Sequence, residues 1–177
     1  MLMTTRVSFW LLPAEGDRLI FEAMIARLAQ AYDAPVFAPH VTLYSGEYAD
    51  HEDPGVILQQ AIQGMDSVEL TVDAIRTTSA FTKTLFVQFA PSEPLNTLSD
   101  RIRQLSATPS DYRLDPHLSL LYKHMPEADQ QRAAETISLP QTQVSFDAVA
   151  GNVSSTPTRT RDDVERWEMR WCKSLLS

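Results

Sequence analysis

Short apolar runs and stretches of helical periodicity alternate along the chain. Val7 to Leu12 is almost wholly apolar and closes on Pro13, the pattern of a strand buried on both faces. Glu15 to Ala31 places Leu19, Ile20, Ala23, Met24, Leu28 and Ala31 at helical spacing, with Glu15 and Asp17 at the end where carboxylates favour the helix dipole. Asp33-Ala34-Pro35 stops that helix. A strand is expected over Val36 to Tyr44, a polar loop over Ser45 to Pro54 and a short helix over Gly55 to Gln63, ended by Gly64. Ser67 to Thr78 alternates except near Ala74, which predicts a long strand with a bulge there.

The second half repeats the plan. Leu85 to Phe89 reads as a strand, and Pro94 to Ala107 as a helix capped by Ser92 or Glu93 and stopped by Thr108-Pro109. His117 to Tyr122 reads as a strand, Glu127 to Ile137 as a short helix and Val144 to Val149 as a strand. A hairpin-like loop over Gly151 to Arg161 and a final strand over Val164 to Leu175 complete the pattern. The order strand, helix, strand, short helix, strand thus occurs twice. Val7 precedes His40 by 33 positions and Leu85 precedes His117 by 32. The expected fold is α+β: one domain over 1–177, bilobal and pseudo-symmetric. Its half-repeats span about 6–79 and 84–152, with a C-terminal strand over 164–175, antiparallel sheets around a central cleft and helices outside.

The equivalent strands carry matching chemistry: Pro39-His40-Val41-Thr42-Leu43-Tyr44 and Pro116-His117-Leu118-Ser119-Leu120-Leu121-Tyr122. Alternation along a strand puts His40 with Thr42, and His117 with Ser119, on one face, while Val41, Leu43, Leu118 and Leu120 anchor the other. Two imidazoles and two hydroxyls meeting in one pocket suit cleavage of a phosphodiester. One histidine activates the attacking oxygen and the other protonates the leaving oxygen, both near neutral pH because the unperturbed pKa is about 6.5. Hydroxyls then serve the non-bridging oxygens.

Composition narrows the alternatives. With 177 residues, 44% hydrophobic and 21% charged, the chain has the make-up of a folded protein with a sizeable core. Its net charge of −8 and lack of basic runs disfavour long nucleic acid as a partner. No His-Glu-x-x-His, cysteine pair or Asp-rich run supplies a metal site, and no phosphate-binding glycine loop or nucleophile elbow occurs, so neither metal nor cofactor is expected. Cys172, the single cysteine, suits a reducing compartment and reads as a small buried filler. Residues 1–13 lack the features of a signal peptide, and no apolar run is long enough for a spanning helix, so a cytoplasmic protein without a membrane partner is expected. Monomer is the default for this size. His51 and His124 read as solvated surface, and Trp10, Trp167 and Trp171 as core or interface.

The two His-x-Thr/Ser motifs, with Phe9-Trp10-Leu11-Leu12-Pro13 and Phe37-Ala38-Pro39-His40, resemble the two-histidine phosphoesterase superfamily and within it the cyclic phosphodiesterase branch. That resemblance implies hydrolysis of ADP-ribose 1″,2″-cyclic phosphate or nucleoside 2′,3′-cyclic phosphates, the latter to 2′-phosphates. His40 and His117 would be the acid/base pair, with Thr42, Ser119 and Tyr122 binding phosphate. Tyr122 is out of phase with His117 and needs a bend to reach the site, whereas Tyr44, in phase with His40, is a candidate for stacking on substrate. Plant members carry further cysteines, so disulfide control is not expected here. A 2′,5′-phosphodiesterase or RNA-end-processing relative is the alternative within enzymes. A nucleotide-binding module without activity is the alternative outside them.

Overall fold

The computed structural model describes residues 4–154 and 157–177. Strands β1 (Thr4–Pro13), β2 (Val41–Ala49) and β3 (Val68–Thr77) alternate with helices α1 (Glu15–Tyr32) and α2 (Pro54–Ala61). Then follow β4 (Leu85–Phe89), α3 (Glu93–Leu105), β5 (His117–Leu121), α4 (Glu127–Glu135) and β6 (Gln143–Ser154). The last elements are α5 (Arg161–Glu165) and β7 (Glu168–Ser174).

Every ladder between these strands is antiparallel. The pairings run β1–β2, β2–β5, β5–β4, β4–β3, β3–β6 and β6–β1, so they close on themselves, and β7 adds to β6. The strands make two lobes, β2-β1-β6-β7 and β5-β4-β3, in the bilobal α+β arrangement expected, but joined on one side by the β3–β6 ladder, so that β3 and β6 each sit in the lobe of the other half-repeat. Between β2 and β5 the ladder contains one pair, Val41 with Leu118.

The helices cross this thin seam. α1, which follows β1, packs on β5 of the other lobe, and α3, which follows β4, packs on β2. Ser99 of α3 donates its hydroxyl to the Leu43 carbonyl at 2.7 Å, and the Tyr48 and Ser106 hydroxyls meet at 2.9 Å. Phe21, Ile25 and Leu28 of α1 and Leu95, Leu98 and Ile102 of α3 are buried. Each such side chain contributes roughly 1.5–3 kcal/mol of burial. On the β2–β5 side, apolar packing therefore does what the single ladder pair cannot.

The structure corrects several expectations. Leu19 is 56% exposed and Ile20 38%; the buried stripe of α1 begins at the aromatic Phe21, about one residue round from the face the Leu19-Ile20 doublet suggests. β2 begins at Val41 and runs through the stretch expected to be a polar loop. Pro35 and Pro39 have no N–H for a ladder, whereas Ser45 to Ala49 pair with Thr4 to Ser8. β6 continues through Gly151 to Ser154, because Gly151 leaves room for the Trp171 ring, which a Cβ there would meet at 2.6 Å. The C-terminal strand starts only at Glu168; before it, Thr160 and Asp163 form a reciprocal cap that nucleates α5. Cys172 is exposed on this short edge strand, not a buried filler. Residues 1–3, and 155–156 within the expected loop, lie outside the described residues.

Candidate active site

β2 and β5 deliver the two motifs to a shared cavity of about 300 Å³. Carried one residue to each side of Val41 and Leu118, the antiparallel register sets His40 across from Ser119 and Thr42 across from His117. His40 and His117 are then diagonal neighbours, a relation that spans about 7–8 Å. His40, Thr42, His117 and Tyr122 line the cavity. Ser119 sits just behind the lining, beside the Tyr122 hydroxyl, and donates its own hydroxyl to the Thr82 carbonyl at 2.8 Å.

The histidines are held alike. His40 Nδ1 donates to the Ala38 carbonyl at 2.7 Å and His117 Nδ1 to the Asp115 carbonyl at 2.8 Å. A carbonyl only accepts, so each neutral ring carries its proton on Nδ1 and keeps the Nε2 lone pair. Each ring also meets an aromatic side chain from the next strand. Trp10 of β1 stacks on His40 with centroids 3.7 Å apart, and Phe86 of β4 stands edge-on to His117 at 5.4 Å.

Their electrostatic surroundings differ. Burial, aided by the positive charge of His117 and opposed by the Ala38 carbonyl, pushes His40 down to about 4. His117 is also lowered, by burial first and then by Lys83, while the Asp115 carbonyl and carboxylate work the other way. Asp115 Oδ2 stands 3.7 Å from His117 Nδ1. Burial opposes the charge on Asp115, but hydrogen bonds from Lys83 and Gln88 keep its carboxyl below the ordinary range. His40 has no comparable carboxylate among the described residues.

Tyr44 departs from its expected place. Opposite Phe9 and Trp10, β2 carries an extra residue, since Phe9 pairs with Tyr44 and Trp10 with Thr42. This bulge at Leu43 flips the later side chains, so Tyr44 is fully buried and its hydroxyl accepts from the Ser110 N–H, while Ser45 turns to the cavity. In this structure Tyr44 has no face open to a ligand. β5 carries the equivalent bulge at Leu120, because Leu85 pairs with Leu121 and Phe86 with Ser119. That extra residue brings Tyr122 round to the cavity, where its ring stacks on Phe37 at 3.9 Å. Ser45 and Tyr122 are therefore equivalent positions of the two halves.

Sequence reading missed Trp10 and Trp167, both of which line the cavity. Trp10 lies next to the Phe9 register shift, and Trp167 follows the α5 cap; the period-2 reading of residues 164–175 hid the latter. Trp171 fits the expected packing role, against Gly55 and Gly151. His51 and His124 are exposed as expected.

Residues 3–169 match the model of the family described as cyclic phosphodiesterase-like protein. The chain belongs to that family. As a cyclic phosphodiesterase-like member of the two-histidine phosphoesterase superfamily, it is an enzyme that hydrolyses phosphodiesters. A cyclic phosphodiesterase of Arabidopsis thaliana is 25% identical to it over 128 residues, 72% of this chain and 71% of the relative. Among solved structures, E. coli LigT complexed with 3′-AMP superposes with a TM-score of 0.61 at 19% identity, covering 99% of this chain and 100% of LigT. LigT complexed with NADP+ gives 0.58 at 18% identity, covering 99% of this chain and 100% of that one. At these identities the likeness is one of fold. Among the described residues of this cyclic phosphodiesterase-like chain, no group of three or more His, Cys, Asp or Glu side chains could hold a metal ion. No helix among them is long and apolar enough to cross a membrane.

Proposed function

We propose that this enzyme hydrolyses small nucleotide-derived cyclic phosphates, nucleoside 2′,3′-cyclic phosphates or ADP-ribose 1″,2″-cyclic phosphate, without a metal ion. The observation that carries the reading is the pair of imidazoles in one cavity, each with Nδ1–H tied to a backbone carbonyl and Nε2 left for chemistry. His40, whose burial favours the neutral ring, takes a proton from water as the water oxygen bonds to phosphorus. His117, with the Asp115 carboxylate behind it, gives its Nε2 proton to the ribose oxygen as the phosphorus–oxygen bond of the ring breaks. For a 2′,3′-cyclic phosphate, breaking the bond to O3′ yields the 2′-phosphate. The two histidines then exchange their protons with solvent and reset.

Thr42 and Tyr122 contribute hydroxyls to the non-bridging oxygens, and Ser119 joins them once its hydroxyl turns from Thr82. Each acid/base group is worth typically about 10²–10⁴-fold. We therefore expect His40→Ala and His117→Ala each to lower kcat on adenosine 2′,3′-cyclic phosphate by that factor, with wild-type turnover unchanged in excess chelator. Loss of wild-type activity on chelation, or full activity in either variant, would overturn the reading. Parallel digestion of a 2′,5′-linked dinucleotide separates this activity from a 2′,5′-phosphodiesterase.

A further inference from the structure

The cavity does not end at the histidines. Its floor is made by β1 between β2 and β6, and the registers arrange the inward residues in rows. Trp10 lies between Thr42 and Ala150, Ser8 between Ser45 and Asn152, and Arg6 between Glu47 and Ser154. Two residues separate each row from the next, so the rows are about 7 Å apart and the last lies about 14 Å from the first. Arg6, Ser8 and Trp10 bound the same cavity as His40 and His117, which means the Arg6 side chain reaches back toward the middle row.

The middle and last rows are both built for a ligand. In the middle row Asn152 is 2% exposed, and its Oδ1 has no hydrogen-bond partner. An amide oxygen left unpaired is costly, and Asn152 borders the cavity where a ligand donor can approach it. Beside it the Ser8 and Ser45 hydroxyls bond each other at 2.9 Å. In the last row Arg6 makes no hydrogen bond or ion pair among the described residues. Glu47 across the ladder accepts instead from the Thr4 hydroxyl at 3.4 Å. Arg6 is the only Lys or Arg among the described residues lining the cavity, and no Asp or Glu lines it, although the protein carries a net charge of −8. Arg6 also borders an adjoining pocket that holds Glu47 and Asp111, yet it pairs with neither, and an unpaired guanidinium is a site for an anion.

We infer that the cavity takes a nucleotide bearing two phosphates, the cyclic one at the histidine pair and a second one, on the 5′ side of the ribose, at Arg6. The sugar between them lies over Ser8, Ser45 and Asn152. The inference rests on the cyclic phosphate reading above and deepens it, making Arg6 a specificity residue. The second phosphate could belong to a free nucleotide phosphorylated at the 5′ oxygen, including the diphosphate that ADP-ribose 1″,2″-cyclic phosphate carries on the same ribose, or to the next linkage of a short oligonucleotide, and all present the same oxygens to the guanidinium.

The test compares kcat/KM for adenosine 2′,3′-cyclic phosphate with and without a 5′-phosphate, in wild type, Arg6→Gln and Arg6→Lys. In wild type the 5′-phosphate should raise kcat/KM about tenfold, the worth of one charge-assisted contact. That ratio should fall to about one in Arg6→Gln and be partly restored in Arg6→Lys. A dinucleotide ending in a cyclic phosphate gives the second arm: an equal advantage assigns the second phosphate to an oligonucleotide linkage, and no advantage assigns it to a free nucleotide. Calorimetric titration with adenosine 2′-phosphate against adenosine 2′,5′-bisphosphate checks the subsite independently of turnover. Tighter bisphosphate binding that Arg6→Gln abolishes upholds the subsite even if no cyclic phosphate is hydrolysed, an outcome that would sink only the hydrolytic reading. Equal affinities, or a preference that survives Arg6→Gln, would overturn the inference.

Discussion

His40 follows a proline-held segment, is 6% exposed and lies flat against Trp10, so the fold holds a neutral ring where an unfolded chain would hold a titratable one. Its depressed value near 4 means that the unfolded chain binds the proton first as pH falls below about 6.5. The stabilisation is fully present above that point and is lost as pH drops toward 4, an effect on the order of 3 kcal/mol. Thermal unfolding should show Tm falling over this window, and His40→Gln should flatten the fall. At His117 the carboxylate of Asp115 favours the protonated ring. Asp115→Asn should therefore move the alkaline limb of the kcat profile to lower pH while leaving the acid limb, set by His40, in place. Movement of the acid limb instead would reverse the proposed division of labour.

Among the elements, the two bulges decide which side chains reach the cavity, and two glycines decide how the edge strand packs. Gly151 lies under Trp171, itself at φ 52°, and a Cβ there would stand 2.6 Å from the indole Cε3. Gly151→Ala should cost about 1–3 kcal/mol by overpacking. Gly16 of α1 has nothing within 4 Å of an added Cβ, so Gly16→Ala should stabilise by up to about 1 kcal/mol. Chemical denaturation of the pair checks both signs. The same elements mark what could be read from the chain. Strand and helix order through β6, the bulge near Ala74 and the equivalence of His40 with His117 follow from period and repeat. The bulge opposite Phe9 and Trp10 does not, because it exists only in the register between β1 and β2; hence period alone puts Tyr44 on the wrong face. Tyr122 announced its own bulge by being out of phase, a signal available only with the site already in mind. α5 was lost to a capping pair at its start, Thr160 with Asp163, inside a stretch that alternates well enough to pass for a strand.

At the scale of the whole molecule, each half contributes one histidine and one hydroxyl, and each half's long helix is packed on the other's motif strand. With a net charge of −8, long-range attraction for an anionic substrate is unfavourable, and added salt should raise kcat/KM slightly by screening that field. A strand junction held by one backbone pair, flanked by a cavity on one side and clamped by helices on the other, is where the ring of strands separates at least cost. Amide exchange at the residues flanking this β2–β5 pair should outpace that at Ile75 in the continuous β3–β4 ladder. Inorganic phosphate bridging the two motifs should slow exchange there more than anywhere else, so the catalytic gap would report its own occupancy through the protection of the amides beside it.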